Sequence, residues 1–244
     1  MNEAVYAEIF AVEDRHWWFR AKRQIVMHLL NRFAAPRPGE QLKVVDLGCG
    51  CGATLYQLQL RYHAIGVDGS PLAVDFCSRR GIDVQLAELP HGIQISEGSV
   101  DAVLLLDVLE HVDDHAGSLR AAAKLLRPGG VLICTVPAYQ WLWSWWDEIH
   151  HHYRRYTLTS LKKVLSENGL EPQMMSYVNT LLFPIAMVAR LFARLKKPPA
   201  EGTCPMHVPA APVNYVLNKI YAGERHLLGK VRLPFGLSVV GVAR

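Results

Sequence analysis

Apolar residues recur with two different periods along this chain, and the places where the period changes mark its elements. Between Tyr6 and Phe33 they recur at helical spacing until Pro36, Pro38 and Gly39 stop the pattern, which predicts a helical N-terminal arm over residues 1–39. A short β-branched run, Leu42-Lys43-Val44-Val45-Asp46-Leu47, then leads into a glycine loop and a helical stretch over 53–61. The alternation continues, with strands expected over 64–67, 84–86, 101–106 and 131–136 and helices over 71–80 and 118–126. Strands alternating with helices predict a parallel sheet clothed by helices. Beyond it, Thr157 caps a helix that Gly169 closes, and 174–178 and 237–242 read as strands. More than fifty residues separate that last pair, far too many for a hairpin, so 179–233 is expected as a helical insertion. The chain then divides into the arm (1–39), a core (40–178), the insertion (179–233) and a last core strand (234–244).

Half of the 244 residues are hydrophobic, enough for one full core with an appended element. The net charge of +4 conceals an asymmetry: residues 1–153 carry 13 basic and 18 acidic side chains, residues 154–244 carry 13 and 4. A basic C-terminal third suits an anionic surface, phospholipid or nucleic acid, and charge alone does not choose between them. Cys49, Cys51, Cys77, Cys134 and Cys204 are odd in number and irregularly spaced, which fits a reducing compartment. Cys49 and Cys51 have no matching Cys/His pair downstream, so no metal is assigned. Met1-Asn2-Glu3-Ala4-Val5 lacks a basic region followed by an apolar run, so the expected location is cytoplasmic.

Chemistry begins at Asp46-Leu47-Gly48-Cys49-Gly50-Cys51-Gly52. Glycines at alternate positions let backbone approach a ligand and set amides near a helix N-terminus. The G-x-G-x-G spacing differs from the G-x-G-x-x-G of dinucleotide enzymes. About twenty residues on, Asp68 ends Ile65-Gly66-Val67-Asp68-Gly69, where a carboxylate can accept both hydroxyls of a ribose. Ala87-Glu88-Leu89-Pro90 and Asp107-Val108-Leu109-Glu110-His111 follow the next two strands, at the carboxyl ends where such sheets bind ligands.

The ordered set DLGCGCG, GVDGS, AELP, DAVLLLDVLEHV and LLRPGGVLICTVP over residues 42–137 resembles the class I S-adenosylmethionine-dependent methyltransferases. That resemblance implies a Rossmann-like α/β fold with a seven-stranded sheet, mostly parallel with an antiparallel last strand, helices on both faces, and S-adenosyl-L-methionine as cofactor. It implies that Asp46, Gly48, Gly50 and Gly52 surround the methionine moiety. Asp68 with Gly69 would lie at the ribose, Glu88 and Leu89 beside adenine, and Asp107 with Val108 at the sulfonium. Many relatives carry an Asp where this chain has Ala87, which shifts the adenine contacts to backbone or Glu88.

After the fifth strand comes Asp147-Glu148-Ile149-His150-His151-His152-Tyr153-Arg154-Arg155. For a hydroxyl acceptor, a histidine such as His152 can take the proton, and Arg154 and Arg155 can grip a phosphate or carboxylate. Consecutive histidines point in different directions, so the alternative is that at most one reaches the site. His111 is a second base candidate or a structural support. Trp141, Trp143, Trp145 and Trp146 suit an apolar acceptor groove or a membrane-facing rim. His16-Trp17-Trp18-Phe19-Arg20 suits core packing or a lid over the site.

Within 181–197, an apolar run ends at Arg190, Arg194, Lys196 and Lys197, too short to span a bilayer. Arg190, Arg194 and Lys197 fall on one helix face, with Ile185, Val188, Leu191, Phe192 and Leu195 opposite, an interfacial pattern. Peripheral contact with the inner membrane face and a soluble cap both fit, the latter by pairing with the amphipathic 213–228. HWWFR, HHYRRYT and this insertion resemble a bacterial subgroup associated with envelope glycan or lipid metabolism, which implies an amphiphilic or lipid-linked acceptor. The leading expectation is O-methylation of such a molecule. A soluble quinone-pathway-like small-molecule methyltransferase and a non-catalytic cofactor-binding interaction protein remain as alternatives. Nucleic acid is disfavoured, because no N-P-P-[YF]-type motif follows the fourth strand.

Overall fold

A computed structural model describes residues 3–193 and 206–244. Its strands are β1 (Lys43–Leu47), β2 (His63–Asp68), β3 (Val84–Leu86), β4 (Val100–Leu106), β5 (Leu126–Pro137), β6 (Pro172–Val178) and β7 (Ser238–Ala243). They form one sheet in the order β3-β2-β1-β4-β5-β7-β6, with β7 antiparallel to both β5 and β6. The remaining pairings are parallel. The chain runs outward from β1 through β2 to β3 and then returns to β4. The carboxyl ends of β1 and β4 therefore flank the reversal, where ligands bind in sheets of this kind.

The helices are α1 (Glu3–Val12), α2 (Trp17–Phe33), α3 (Ala53–Gln59), α4 (Pro71–Arg79), α5 (His115–Leu125), α6 (Trp145–Ile149), α7 (Leu158–Glu167), α8 (Phe183–Ala193) and α9 (Ala211–Gly223). Both faces of the sheet are covered, which is why β4 reads as a nearly unbroken apolar run. Val44, Ala102 and Val131, in register, pack beneath α2, α3 and α9; Val45, Val103 and Leu132 pack beneath α5 and α7.

The predicted arm is two helices, broken at residues 13–16. His16 caps the second, its Nδ1 accepting from the Trp18 amide at 3.2 Å. Buried Glu13 stops the first: it meets Arg80 at 2.8 Å, and Arg80 also donates to Asp14 and to the Cys51 carbonyl, each at 2.8 Å. With the Phe10 and Phe76 rings stacked 4.5 Å apart, α1 is tied down beside the glycine loop.

Arm and insertion meet on one face of the sheet. Asn214 accepts the Trp17 amide at 2.8 Å, Asn218 donates to the Trp17 carbonyl at 3.1 Å, and the Trp17 ring stands edge-on to Tyr221 at 6.2 Å. Trp17 and Trp18 thus pack against core, and Trp18 also lies 5.0 Å from the Lys22 ammonium. Of the predicted amphipathic run in 181–197, Arg194, Leu195, Lys196 and Lys197 lie outside the described residues. Arg190 turns inward towards Asp147, while Ile185, Val188, Leu191 and Phe192 face outward. Among the described residues no helix is long and apolar enough to cross a membrane.

Glu224, buried just past α9, accepts the amides of Asn179, Thr180 and Leu181 at 2.7, 2.7 and 3.0 Å, fastening the insertion to the end of β6. Glu224→Ala should cost about 3 kcal/mol in urea unfolding, since it leaves buried amides without acceptors; a loss under 1 kcal/mol would show that the clamp is dispensable.

Candidate active site

The loop after β1 has the backbone that its glycines suggest. Gly48, Gly50 and Gly52 all have positive φ, and a Cβ on Gly48 would stand 2.5 Å from Val108 Cγ2. Gly52 caps α3 in the left-handed region. Asp68, at the end of β2, accepts from the Gly50 amide at 2.8 Å and the Ser70 amide at 2.9 Å. Burial raises its pKa, and these amide bonds oppose that rise. Gly69 lies against Glu88, whose Cα would be 3.5 Å from an added Cβ, and the Ala87 amide donates to the Asp68 carbonyl at 3.0 Å. Glu88 is exposed and Leu89 half-buried at that edge.

Two further carboxylates lie at the sheet reversal. Asp46 is buried, its Oδ1 has no hydrogen-bond partner, and burial pushes its pKa up to about 7, with Lys22 opposing. Asp107 sits at φ +56, a strained position for a side-chain-bearing residue. The Thr135 hydroxyl donates to it at 2.8 Å and the Lys22 ammonium forms a short ion pair with it. Burial would raise the Asp107 carboxyl, but Lys22 and Thr135 together hold it below the usual carboxylate range. Lys22, on α2, is a site residue that the sequence reading missed.

Beyond β5, the capping box Ser144–Asp147 starts α6 and plants Asp147 in the interior. Arg155 grips that carboxylate bidentately, Nε to Oδ1 at 2.7 Å and Nη2 to Oδ2 at 2.9 Å. The Ser144 amide reaches Oδ2 at 2.9 Å and His152 Nδ1 lies 2.9 Å from Oδ1. Burial would raise Asp147, yet the bonds from His152 and Arg155 hold it well below the carboxylate range. Because the carboxylate engages Nδ1, His152 is left with Nε2 for other partners.

The ring of His152 meets that of His111 at 4.5 Å and that of His150 at 5.8 Å. Burial pushes His111 down to about 3, with His152 and His150 adding to the effect. Glu110 is buried beside Asp107; burial, and then the Asp107 charge, raise its carboxyl well above the usual range. Glu110, His111 and His152 each offer a donor atom within 4.8 Å of the others. Two of the three consecutive histidines thus face inward, His150 and His152, while His151 is exposed at φ +54. Arg154 is brought near but most of its donors are engaged by backbone: Nη1 reaches the Val112 carbonyl at 2.6 Å and that of Leu109 at 3.3 Å, and Nη2 that of Asp113 at 3.0 Å. With Arg155 committed to Asp147, neither arginine presents the acceptor clamp expected from sequence; Arg154 holds the turn that carries His111.

His150 is held neutral at the rim of this cluster. Burial lowers its pKa from 6.5 to about 4, with Nδ1 2.8 Å from the Trp146 carbonyl. Between those values the unfolded chain binds more protons than the folded one, so this residue subtracts stability as pH falls. Relative to wild type, His150→Gln should gain about 2 kcal/mol on going from pH 7 to pH 4.5 in urea unfolding; a pH-independent difference would show that His150 is not held neutral.

A family model described as a methyltransferase domain matches residues 17–173. The ubiquinone biosynthesis O-methyltransferase of Dinoroseobacter shibae is 28% identical over 170 residues, 62% of this chain and 68% of that one. An uncharacterized 37.1 kDa protein in a Streptomyces fradiae transposon is 36% identical over 145 residues, 56% of this chain and 39% of that one. Among solved structures, a complex of the Haloferax volcanii Trm112 methyltransferase activator with a methyltransferase gives a TM-score of 0.62 at 20% identity, covering 98% of this chain and 94% of the other. A Thermotoga maritima S-adenosylmethionine-dependent methyltransferase gives 0.58 at 17%, covering 98% and 93%. The structural likenesses establish the fold, and the family match over most of the chain, onto a glycine loop and strand-end acids arranged as described, establishes the class. The chain belongs to the methyltransferase domain family and is a class I S-adenosylmethionine-dependent methyltransferase.

Proposed function

We propose that this methyltransferase methylates a hydroxyl oxygen of a hydrophobic small molecule. The observation that carries the proposal is the Glu110–His111–His152 cluster, with His152 oriented by Asp147, beside the Asp107 carboxylate. Paired imidazoles are suited to drawing a proton from a hydroxyl as the methyl group arrives.

The residues present fit the cofactor. Asp46 Oδ1, buried and without a partner, suits an ammonium, and Lys22, set between Asp46 and Asp107, suits the neighbouring carboxylate. Asp68 suits the ribose hydroxyls, the close approach at Gly48 leaves backbone for the methionine portion, and Gly69, Glu88 and Leu89 suit the adenine edge. When bound, the cofactor supplies an electrophilic methyl group on a sulfonium. Asp107 and Val108 set the floor against which acceptor and cofactor meet, Val108 lying directly against Gly48.

A hydrophobic acceptor is supported by the rings around the ends of β5 and β6. Tyr139 stacks on Tyr177 at 5.0 Å and on Trp141 at 5.5 Å, and Phe183 joins them from α8. The relatives named for ubiquinone biosynthesis support the same chemistry. The exposed apolar residues of α8, with Val213, Tyr215 and Val216 of α9 and a net +9 over residues 154–244, support delivery of a lipid-linked acceptor at an anionic membrane face.

Calorimetry with S-adenosylmethionine comes first: Lys22→Met should weaken binding at least about tenfold, and Asp68→Ala should abolish it. Full binding by both variants would overturn the cofactor assignment. Against a panel of prenylated phenols and lipid-linked sugars, His152→Gln should lower kcat roughly 10²- to 10³-fold with cofactor affinity kept; turnover of amines alone would overturn the hydroxyl reading. Flotation with vesicles containing anionic lipid should carry the protein at low salt and lose it at high salt, whereas absence from the vesicle fraction at both would favour a freely diffusing acceptor.

A further inference from the structure

Glu110, His111 and His152 bring their donor atoms within 4.8 Å of one another from two segments some forty residues apart. Two of those groups are anomalous for a closed hydrogen-bond network. Glu110 Oε2 and His111 Nδ1 are buried, and neither has a partner. A buried polar atom without a partner carries a desolvation cost, and two side by side in a protein that satisfies Asp147 from every side call for an occupant. The third group is already prepared. Asp147 Oδ1, 2.9 Å from His152 Nδ1, fixes the ring so that Nε2 presents its lone pair, the carboxylate–histidine relay that usually stands behind a metal-bound imidazole. Asp147 is in turn immobilised by Arg155 and Ser144, so the relay has a rigid base.

We propose that Glu110, His111 and His152 form a binding site for one divalent transition-metal ion of the zinc type. Two imidazoles and one carboxylate suit Zn²⁺, Co²⁺ or Mn²⁺ and disfavour Mg²⁺, which takes oxygen ligands and keeps its waters. Bonds of roughly 2.0–2.2 Å need the donors roughly 3–3.5 Å apart, so small rotations of the three side chains close the site. Three protein ligands leave a position open, as catalytic rather than purely structural zinc sites do. The ligand class that fits it is the oxygen of a hydroxyl-bearing acceptor, whose proton is lost more readily beside the cation. This use of the ion rests on the hydroxyl-methylation reading: with the ion bound the two imidazoles hold the metal, and the cation, rather than a free imidazole, eases loss of the hydroxyl proton to water. The binding of the ion does not depend on that reading. The site escaped the sequence because its ligands share no zinc-finger spacing: two are adjacent after β4, and the third follows α6.

The test is titration of chelator-stripped protein with Co²⁺, without cofactor or acceptor, followed by visible absorption. Wild type should take up one equivalent with d–d bands, and Zn²⁺ should displace it. Affinity should fall at least about 100-fold in His152→Ala and Glu110→Gln and roughly 10- to 100-fold in Asp147→Asn, and stay unchanged in the exposed His151→Ala. Calorimetry with S-adenosylmethionine on the same samples establishes that each variant is folded. X-ray absorption of the wild-type Zn²⁺ protein needs no substitution and should find two imidazoles and oxygen in the first shell. A shell without imidazole, binding by His152→Ala equal to wild type, or no uptake by wild type would each overturn the site. Because the titration contains no acceptor, its failure leaves hydroxyl methylation standing. Methylation of nitrogen or carbon by a metal-loaded protein would overturn that reading alone.

Discussion

Asp147 carries a charge where water does not reach, and the acceptor side of the molecule is built around meeting that demand. An unpaired buried carboxylate would be prohibitively costly, so its two oxygens collect a bidentate guanidinium from Arg155, the Ser144 amide and the His152 ring, with Arg190 a further 3.9 Å away. The partners come from the start of α6, from the segment 152–155 and from α8. One carboxylate thereby fixes the start of α6, the strand-like return at residues 154–156, the underside of α8 and the direction in which His152 points. The histidine cluster depends on it through the His152 ring.

Two of the other buried carboxylates behave differently, and the contrast separates scaffold from site. Asp147 and Asp68 are satisfied by donors within the fold, whereas Asp46 and Glu110 each keep a buried oxygen without a partner. Burial raises both of these towards the neutral form, while Lys22 holds Asp107 charged nearby. The reversal of the sheet between β1 and β4 thus gathers acids of two protonation tendencies near one another. The positive φ of Asp107 is held by Thr135 and Lys22, so strain at this point is supported by the same contacts that set its charge.

The covering of the sheet is a second consequence of burial. Parallel strands need both faces hidden, and on one face this falls to α2 and α9, from opposite ends of the sequence, locked through Trp17, Asn214, Asn218 and Tyr221. Their contact carries Lys22 to the pocket and leaves the apolar outer residues of α8 with solvent on one side. Where Arg190 turns inward, the helix spends its basic residue on the interior charge instead of on an outer surface.

The sequence by itself determined the alternation of strands and helices, the glycine loop and the acids at the strand ends. These are local properties: doubly buried strands read as apolar runs, and left-handed backbone at positions 48, 50 and 52 calls for glycine. Fifty residues between the last two strands do not fit a turn, and α8 and α9 lie between them. What distant segments do to one another was decided only by the tertiary structure. Lys22 lies 85 residues before its partner Asp107, and nothing in its helical spacing marks it. The break at residues 13–16 comes from Arg80, and the inward turn of His150, His152 and Arg190 comes from the capping and charge of Asp147. Helical periodicity records which residues share a face, but which face is buried depends on where an unpaired charge must be neutralised, and that is known only once the pieces have met.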